Sequence, residues 1–381
     1  MSPEFRWSRI LPKTGPRRLA LVFFGLLLGV PVLAVCALIG VRLFGDLVDE
    51  IQSRRLMPQF EKLDFQAEYY SRQYGSKMAP RRPDQIDKAS LERFVALYQQ
   101  TKSDKLWELV LDDCSQLENV DPLAPLAKDG KLWSVSLNNC KRLTNLDGLR
   151  ESRSLRHLSL NYCEKLKNVD GLRNVLLWNV ELNGCTALTS VKGLSQSNAN
   201  KIWLSRCTSL ESLDGLGGLT SLAGLDLSGC SRLTSIDALS GCHDLRELNV
   251  AWCGRLTNVN VVKGLPWLTT LNLCGCPQLT DLSFLKELKQ LNWLSLSDTP
   301  QLTDLSAIPK SPFPSPARGE IGIESLNLQR CPRLVDIKAL QQVQSLTEVD
   351  LTGCPLAAKD VTSLRASLPH AHIRFREANE R

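Results

Sequence analysis

The chain of 381 residues contains only four histidines and three methionines, and no GxSxG, HExxH, P-loop or dinucleotide fingerprint. The common hydrolytic, metalloprotease and nucleotide-binding chemistries therefore have no motif to rest on. The adjacent carboxylates Asp112 and Asp113 are no more than a solvated pair, so the chain reads as a non-enzyme with no cofactor. No CxxC pair occurs although there are 13 cysteines, which removes the spacing that zinc ribbons and redox motifs use. Net charge is +6, but Arg6, Arg9, Lys13, Arg17 and Arg18 supply much of it from the first eighteen residues. That distribution points to a membrane flank and not to a nucleic-acid surface.

The basic tail (1–18) leads into a run without charge, residues 19–41, "LALVFFGLLLGVPVLAVCALIGV". As a helix it rises roughly 35 Å, enough to cross a hydrocarbon core. Leu33-Ala34-Val35-Cys36 resembles a lipoprotein signal, although Val35 is a poor residue before the cysteine, and an uncleaved anchor is the primary reading. Beyond the run, Arg42, Arg54 and Arg55 are balanced by Asp46, Asp49 and Glu50. The Lys and Arg asymmetry predicts a cytoplasmic N-terminus with the rest of the chain extracytoplasmic, periplasmic or extracellular. Gly25 and Gly29 stand in GxxxG spacing, through which two such helices associate. Small residues in an apolar helix give the same spacing by themselves, and a homodimer has no other support. Residues 42–83 read as a stalk. Residues 84–103 read as a capping helix, with Asp84 placed at its N-terminus and Leu91, Phe94, Leu97 and Tyr98 on one face.

From 104 to 355 the chain repeats. Cysteine recurs at 114, 140, 163, 185, 207, 230, 253, 276, 331 and 354, with Thr299 in the same place in the ninth of eleven units. Successive spacings are 26, 23, 22, 22, 23, 23, 23, 23, 32 and 23. LxxLxLxx precedes each position and xxLTxLxxL comes after it, as in "LRHLSLNYC" and "CPQLTDLSFL". This is the leucine-rich-repeat signature, in which each L-x-L strand points its leucines inward and stacks on its neighbours. The fold class expected is α/β: a solenoid of about eleven repeats with a parallel concave sheet, behind an N-terminal transmembrane helix. The recurring cysteine then points inward where the chain leaves its strand. Its replacement by Thr299 argues for packing and against metal or disulfide. Cys36, Cys242 and Cys274 lie outside the series, Cys242 on the loop side and Cys274 toward the concave surface. The spacing of 32 contains a proline-rich insertion (309–320), expected to bulge outward or to offer a PxxP ligand. Residues 356–381 read as a C-terminal cap, "AKDVTSLRASLP" as a helix and "HAHIRF" as a last strand. His370 and His372 fall there, and the strand explains them better than a metal.

Six of the eight tryptophans fall on outward positions of these strands. The expected ligand surface comprises Trp107, Trp133, Arg156, His157, Tyr162, Trp178, Trp203, Arg206, Trp252 and Trp293. Exposed aromatics on a rigid sheet are costly unless covered, and they dominate binding hot spots. Trp107, Trp133, Arg156 and Trp178 occupy one column, so Arg156 stands where it can stack between indoles. Glu181, Lys201 and Arg246 lie nearby as polar anchors.

The repeats resemble cysteine-containing leucine-rich-repeat proteins. "LTDLSFL" and "LTNLDGL" look like the short bacterial, internalin-like kind, and "LDLSGCSRLTSI" is also similar to plant disease-resistance receptors. "LRASLPHAHIRF" resembles the ends of membrane-anchored bacterial repeat proteins. The resemblance implies protein binding through the concave face. A glycan or cell-wall ligand is the alternative, because tryptophan faces stack on sugars and Asn138, Asn179, Asn183 and Asn200 suit hydroxyl groups. A cytoplasm-facing scaffold is a minor alternative.

Overall fold

In a computed structural model of the protein, residues 56–71, 75–101, 106–310 and 322–376 are described. The basic tail, the apolar run 19–41, residues 42–55 and 72–74 of the stalk and most of the insertion lie outside them. Among the described residues no helix is long and apolar enough to cross a membrane. The chain divides into two compact units. One, Met1–Pro58 with Thr101–Ser103, falls almost wholly outside the described residues. The other, Gln59–Gln100 with Asp104–Arg381, carries the repeats.

The alternation of the L-x-L motif sets the architecture of this second unit. Leu109, Val135, Leu158, Val180 and Ile202 pair in register from strand to strand, so the inward positions form one continuous column. Every one of them is buried. A single repeat could not hide these side chains, and stacking supplies the cover. The described strands make one fourteen-stranded sheet in strict sequence order. It is parallel from β2 (Gly75–Pro80) to β14 (His372–Arg374), and only the first pair is antiparallel. The register continues across the insertion, with Trp293 of β11 (Trp293–Ser295) opposite Ser325 of β12 (Ser325–Asn327).

Two expectations change at the N-terminal end. Residues 65–80 are not stalk. They form a hairpin of β1 (Phe65–Ser71) and β2, which extends the sheet ahead of β3 (Leu106–Val110). The capping helix, α1 (Lys88–Gln99), is capped by Asp87 and not by Asp84. The Asp87 carboxylate accepts from the Ser90 N–H and hydroxyl at 2.8 and 2.7 Å. Ile86 and Leu91, the residues that staple such an end, are both buried. Asp84 falls in a short 3-10 turn that begins at Pro83. Phe94 stacks on Phe65 with ring centroids 4.3 Å apart and touches Phe60 at 5.6 Å, so helix and hairpin close the open end together.

The side opposite the sheet is built of 3-10 turns more than α-helix, which trims the α/β expectation. A period of 22–23 residues leaves too few for a helix there. The first repeat is three or four residues longer, at 26, and fits a short helix, α2 (Ala124–Lys128). Each turn is set by an Asn, Ser or Asp two residues ahead of it: Asn145 accepts from Asp147 N–H, Asn258 from Asn260 and Asp281 from Ser283. Glycine comes next in "LDGL" because backbones meet here. A Cβ on Gly148 would run into the Val120 carbonyl of the preceding repeat. At the far end, α3 (Ala358–Ser367) and β14 close the stack where "AKDVTSLRASLP" and "HAHIRF" place them.

Candidate functional site

The outward residues of the concave sheet divide into three groups. The first lies along the upstream edge of β3 to β6, that is, β4 (Leu132–Ser136), β5 (His157–Ser159) and β6 (Asn179–Glu181) after β3. Trp107 and Trp133 stack with centroids 5.3 Å apart at 14°. Trp133 meets Trp178 edge-on at 5.5 Å. Arg156 reaches both indoles, its guanidinium carbon 5.8 Å from the ring centre of Trp133 and 5.7 Å from that of Trp178. His157 packs edge-on to Trp178 at 6.1 Å. The Asn179 amide donates to its Nδ1 at 3.1 Å, which leaves the proton on Nε2. Burial holds the His157 imidazole below the usual histidine range, so the ring is neutral at pH 7. Trp178 is 45% exposed, whereas the indole Nε1 of Trp133 is buried without a hydrogen-bond partner.

The second group surrounds a shallow cavity of about 300 Å³ in the middle of the face. Trp203 and Trp293 stand in its lining with Asp226, Asn249, Asn272 and Thr270. Gly224 opens it: Lys201 and Glu247, two repeats apart, pair across the glycine at 3.6 Å. The repeat pattern marks the two tryptophans but not the cavity. A signal for it exists in Ala223-Gly224, small residues where neighbouring repeats carry larger ones.

The third group, Tyr162, Arg206 and Trp252, does not lie on the strands. These residues occupy the position before each cysteine, where the chain leaves the sheet. All eleven residues at that position, from Asp113 to Gly353, have φ between 51° and 77°. For a non-glycine residue this left-handed geometry costs roughly 1–2 kcal/mol. Large residues alternate there with glycine. Tyr162 lies over Gly184, Arg206 over Gly229 and Trp252 over Gly275. A Cβ on Gly184 would fall 2.5 Å from the Tyr162 ring, and one on Gly275 within 2.7 Å of Trp252 Cδ2.

The asparagines expected to meet a ligand are engaged elsewhere. Asn138 accepts the Asn161 N–H of the next repeat at 2.8 Å, and Asn183 that of Ser205 at 2.9 Å. Asn179 serves His157, and Asn200 donates to the Ser221 carbonyl. From the sixth repeat the same N–H is capped from within its own repeat, by Asp226, Asn249 and Asn272.

The cysteines are structural. Nine of them donate from Sγ to the carbonyl three residues before the corresponding position of the preceding repeat, at 2.9–3.3 Å. Burial pushes Cys185 and Cys230 up to about 12. Cys242, on the loop side as expected, is buried there and donates to the Leu216 carbonyl at 3.2 Å. Cys274 is half-exposed, 3.7 Å from Asp298. Among the described residues no group of three or more His, Cys, Asp or Glu side chains is arranged to hold a metal.

Residues 199–298 match the family described as Endo-beta-N-acetylglucosaminidase EndoS LRR domain. No curated protein matches the chain. Among solved structures, an internalin (inlF) from Listeria monocytogenes is similar at 17% identity and a TM-score of 0.55, covering 78% of this chain and 93% of its own. An internalin C2 (inlC2) from the same organism has 17% identity, 68% and 92% coverage and a TM-score of 0.40. A leucine-rich-repeat protein of Leptospira interrogans has 18% identity, 70% and 89% coverage and a TM-score of 0.27. The fold is thus a leucine-rich-repeat solenoid like that of the internalin, and folds of this kind present their concave face for binding.

Proposed function

We propose that the protein is a membrane-tethered recognition module whose concave face captures a protein partner through the tryptophan cluster of the first four repeats. The observation that carries this reading is the cluster itself. Trp107, Trp133, Arg156, His157 and Trp178 come from four consecutive repeats and stack on one another on an open face. Rigid aromatics flanking a guanidinium are the residue types that concentrate binding energy. The tether rests on the charge-free run 19–41, and its flanking charges favour an extracytoplasmic repeat domain.

The test compares full-length protein with Trp133→Ala and Trp178→Ala, immobilised and exposed to cell-envelope extract. Both variants are expected to keep the native circular dichroism and to lose the proteins that the wild type retains. An unchanged set of retained proteins would sink the proposal. A glycan reading draws on a separate observation, the cavity with Trp203 and Trp293 in its lining beside amides and carboxylates. It requires oligosaccharide binding that Trp203→Ala abolishes and Trp178→Ala does not.

A further inference from the structure

Tyr162, Arg206 and Trp252 hold a backbone geometry that glycine adopts at lower cost. Each adopts a positive φ, at 62°, 60° and 60°. Tyr162 and Trp252 are 53% and 55% exposed, so no core repays the strain. Glycine would serve better at all three positions, and the chain uses glycine at the equivalent places of the fourth, sixth and eighth repeats. Those glycines leave room for the three side chains, which all lean the same way over the next repeat. Among the described residues, the contact with the facing glycine is all that they gain in the fold, and strain of this kind collects at functional sites. Arg206 is exposed and makes no ion pair among the described residues, whereas Arg330, at the equivalent place of the tenth repeat, is neutralised by Asp298 at 2.5 Å.

The three residues stand two repeats apart. Strands repeat about every 4.8 Å, so the side chains repeat about every 9.6 Å. A polyproline II helix brings every third residue to one side with a pitch of about 9.3 Å. We propose that this downstream edge is a docking row for an extended, proline-rich segment of the partner. One proline packs on Tyr162 and another, six residues on, on Trp252. An acidic residue midway pairs with the Arg206 guanidinium, which gives the pattern Pro-x-x-Glu-x-x-Pro in either direction. The pre-formed helix carries little ordering cost, and aromatic platforms are how such helices are held. The inference rests on the concave side being a protein-binding surface, but it uses residues separate from the Trp133 cluster.

The experiment measures fluorescence anisotropy of a labelled peptide, Pro-Ala-Pro-Glu-Pro-Ala-Pro, against the full chain. Saturable binding is expected, with at least about tenfold loss in Tyr162→Gly and in Trp252→Gly. Both substitutions relieve a positive φ, so the melting temperature should hold or rise and unfolding cannot account for the loss. Arg206→Glu should reverse the preference between this peptide and its Glu-to-Lys counterpart. A peptide with glycine in place of proline should bind far more weakly. Absence of saturable binding at millimolar peptide overturns the proposal. So does binding that survives the paired glycine variant, or a row that takes oligosaccharides instead. Trp133→Ala with Trp178→Ala should leave peptide binding intact, so failure of the row and failure of the cluster are told apart.

Discussion

A cysteine that returns ten times invites a chemical role, and at the residue scale the structure gives it a geometric one. The thiol is small enough for the inside of the turn and donates weakly to a carbonyl that the sheet leaves behind. Its place is legible from the Thr299 replacement. Its partner is not, because the acceptor lies about one repeat earlier and no local pattern marks it. His157 shows the opposite case, a residue whose environment has a measurable signature. Its pKa is depressed by burial, so the folded state binds the proton less readily than the unfolded chain. Its contribution to stability is therefore complete above the ordinary histidine range near 6.5 and declines as pH falls through that range toward the folded value. Urea midpoints should fall between pH 7.5 and pH 5 by more in the wild type than in His157→Gln. Equal slopes would show that the imidazole does not titrate against the cluster.

At the scale of the element, the strands are legible because burial with a period of two is a strong signal. The turns are not, because nothing in "NLDGL" distinguishes a helix start from a 3-10 turn until the repeat length limits the space. The shift of the helix cap from Asp84 to Asp87 has a similar origin. Both are acidic residues ahead of an apolar face, but only Asp87 has a serine three residues on and buried neighbours at the staple positions. Asp87→Ala should cost about 1 kcal/mol in denaturant unfolding. The convex turns give a larger expected effect. A methyl group on Gly148 meets a backbone carbonyl of the preceding repeat, which has no flexible side chain to yield. Gly148→Ala should lower stability by about 3 kcal/mol, an overpacking cost. Gly254→Ala, where a Cβ meets nothing within 4 Å, is the control and should change little. A Gly148→Ala variant as stable as Gly254→Ala would mean that the backbones part without cost and that contact does not select glycine here.

For the whole molecule, fold and candidate surface differ in how far the sequence reveals them. Eleven repetitions average out local ambiguity, so register and core emerge from periodicity, whereas the hairpin at the N-terminal end has no repeat to reveal it. Which outward residues act together does not, because proximity across strands depends on side-chain direction. Trp107, Trp133 and Trp178 are legible from one column. The cavity beside Trp203 and the left-handed edge row need the three-dimensional arrangement. The same structure bears on where the domain resides. Reduced thiols in an oxidising compartment argue against export if they are accessible. The ladder cysteines are buried, and at Cys185 and Cys230 burial pushes the thiol up to about 12, which suppresses the reactive thiolate there. An extracytoplasmic position is therefore compatible with ten unpaired cysteines. Protease added to intact cells or spheroplasts should digest a C-terminally tagged chain. A thiol reagent added to the native protein should leave Cys185 and Cys230 unlabelled until the chain is denatured. A tag that survives until the membrane is opened would reverse the orientation that Arg17 and Arg18 imply. It would also turn the search for a partner to cytoplasmic proteins. Digestion together with rapid labelling of the ladder would instead leave the outward orientation standing, but without the burial that makes it chemically tolerable.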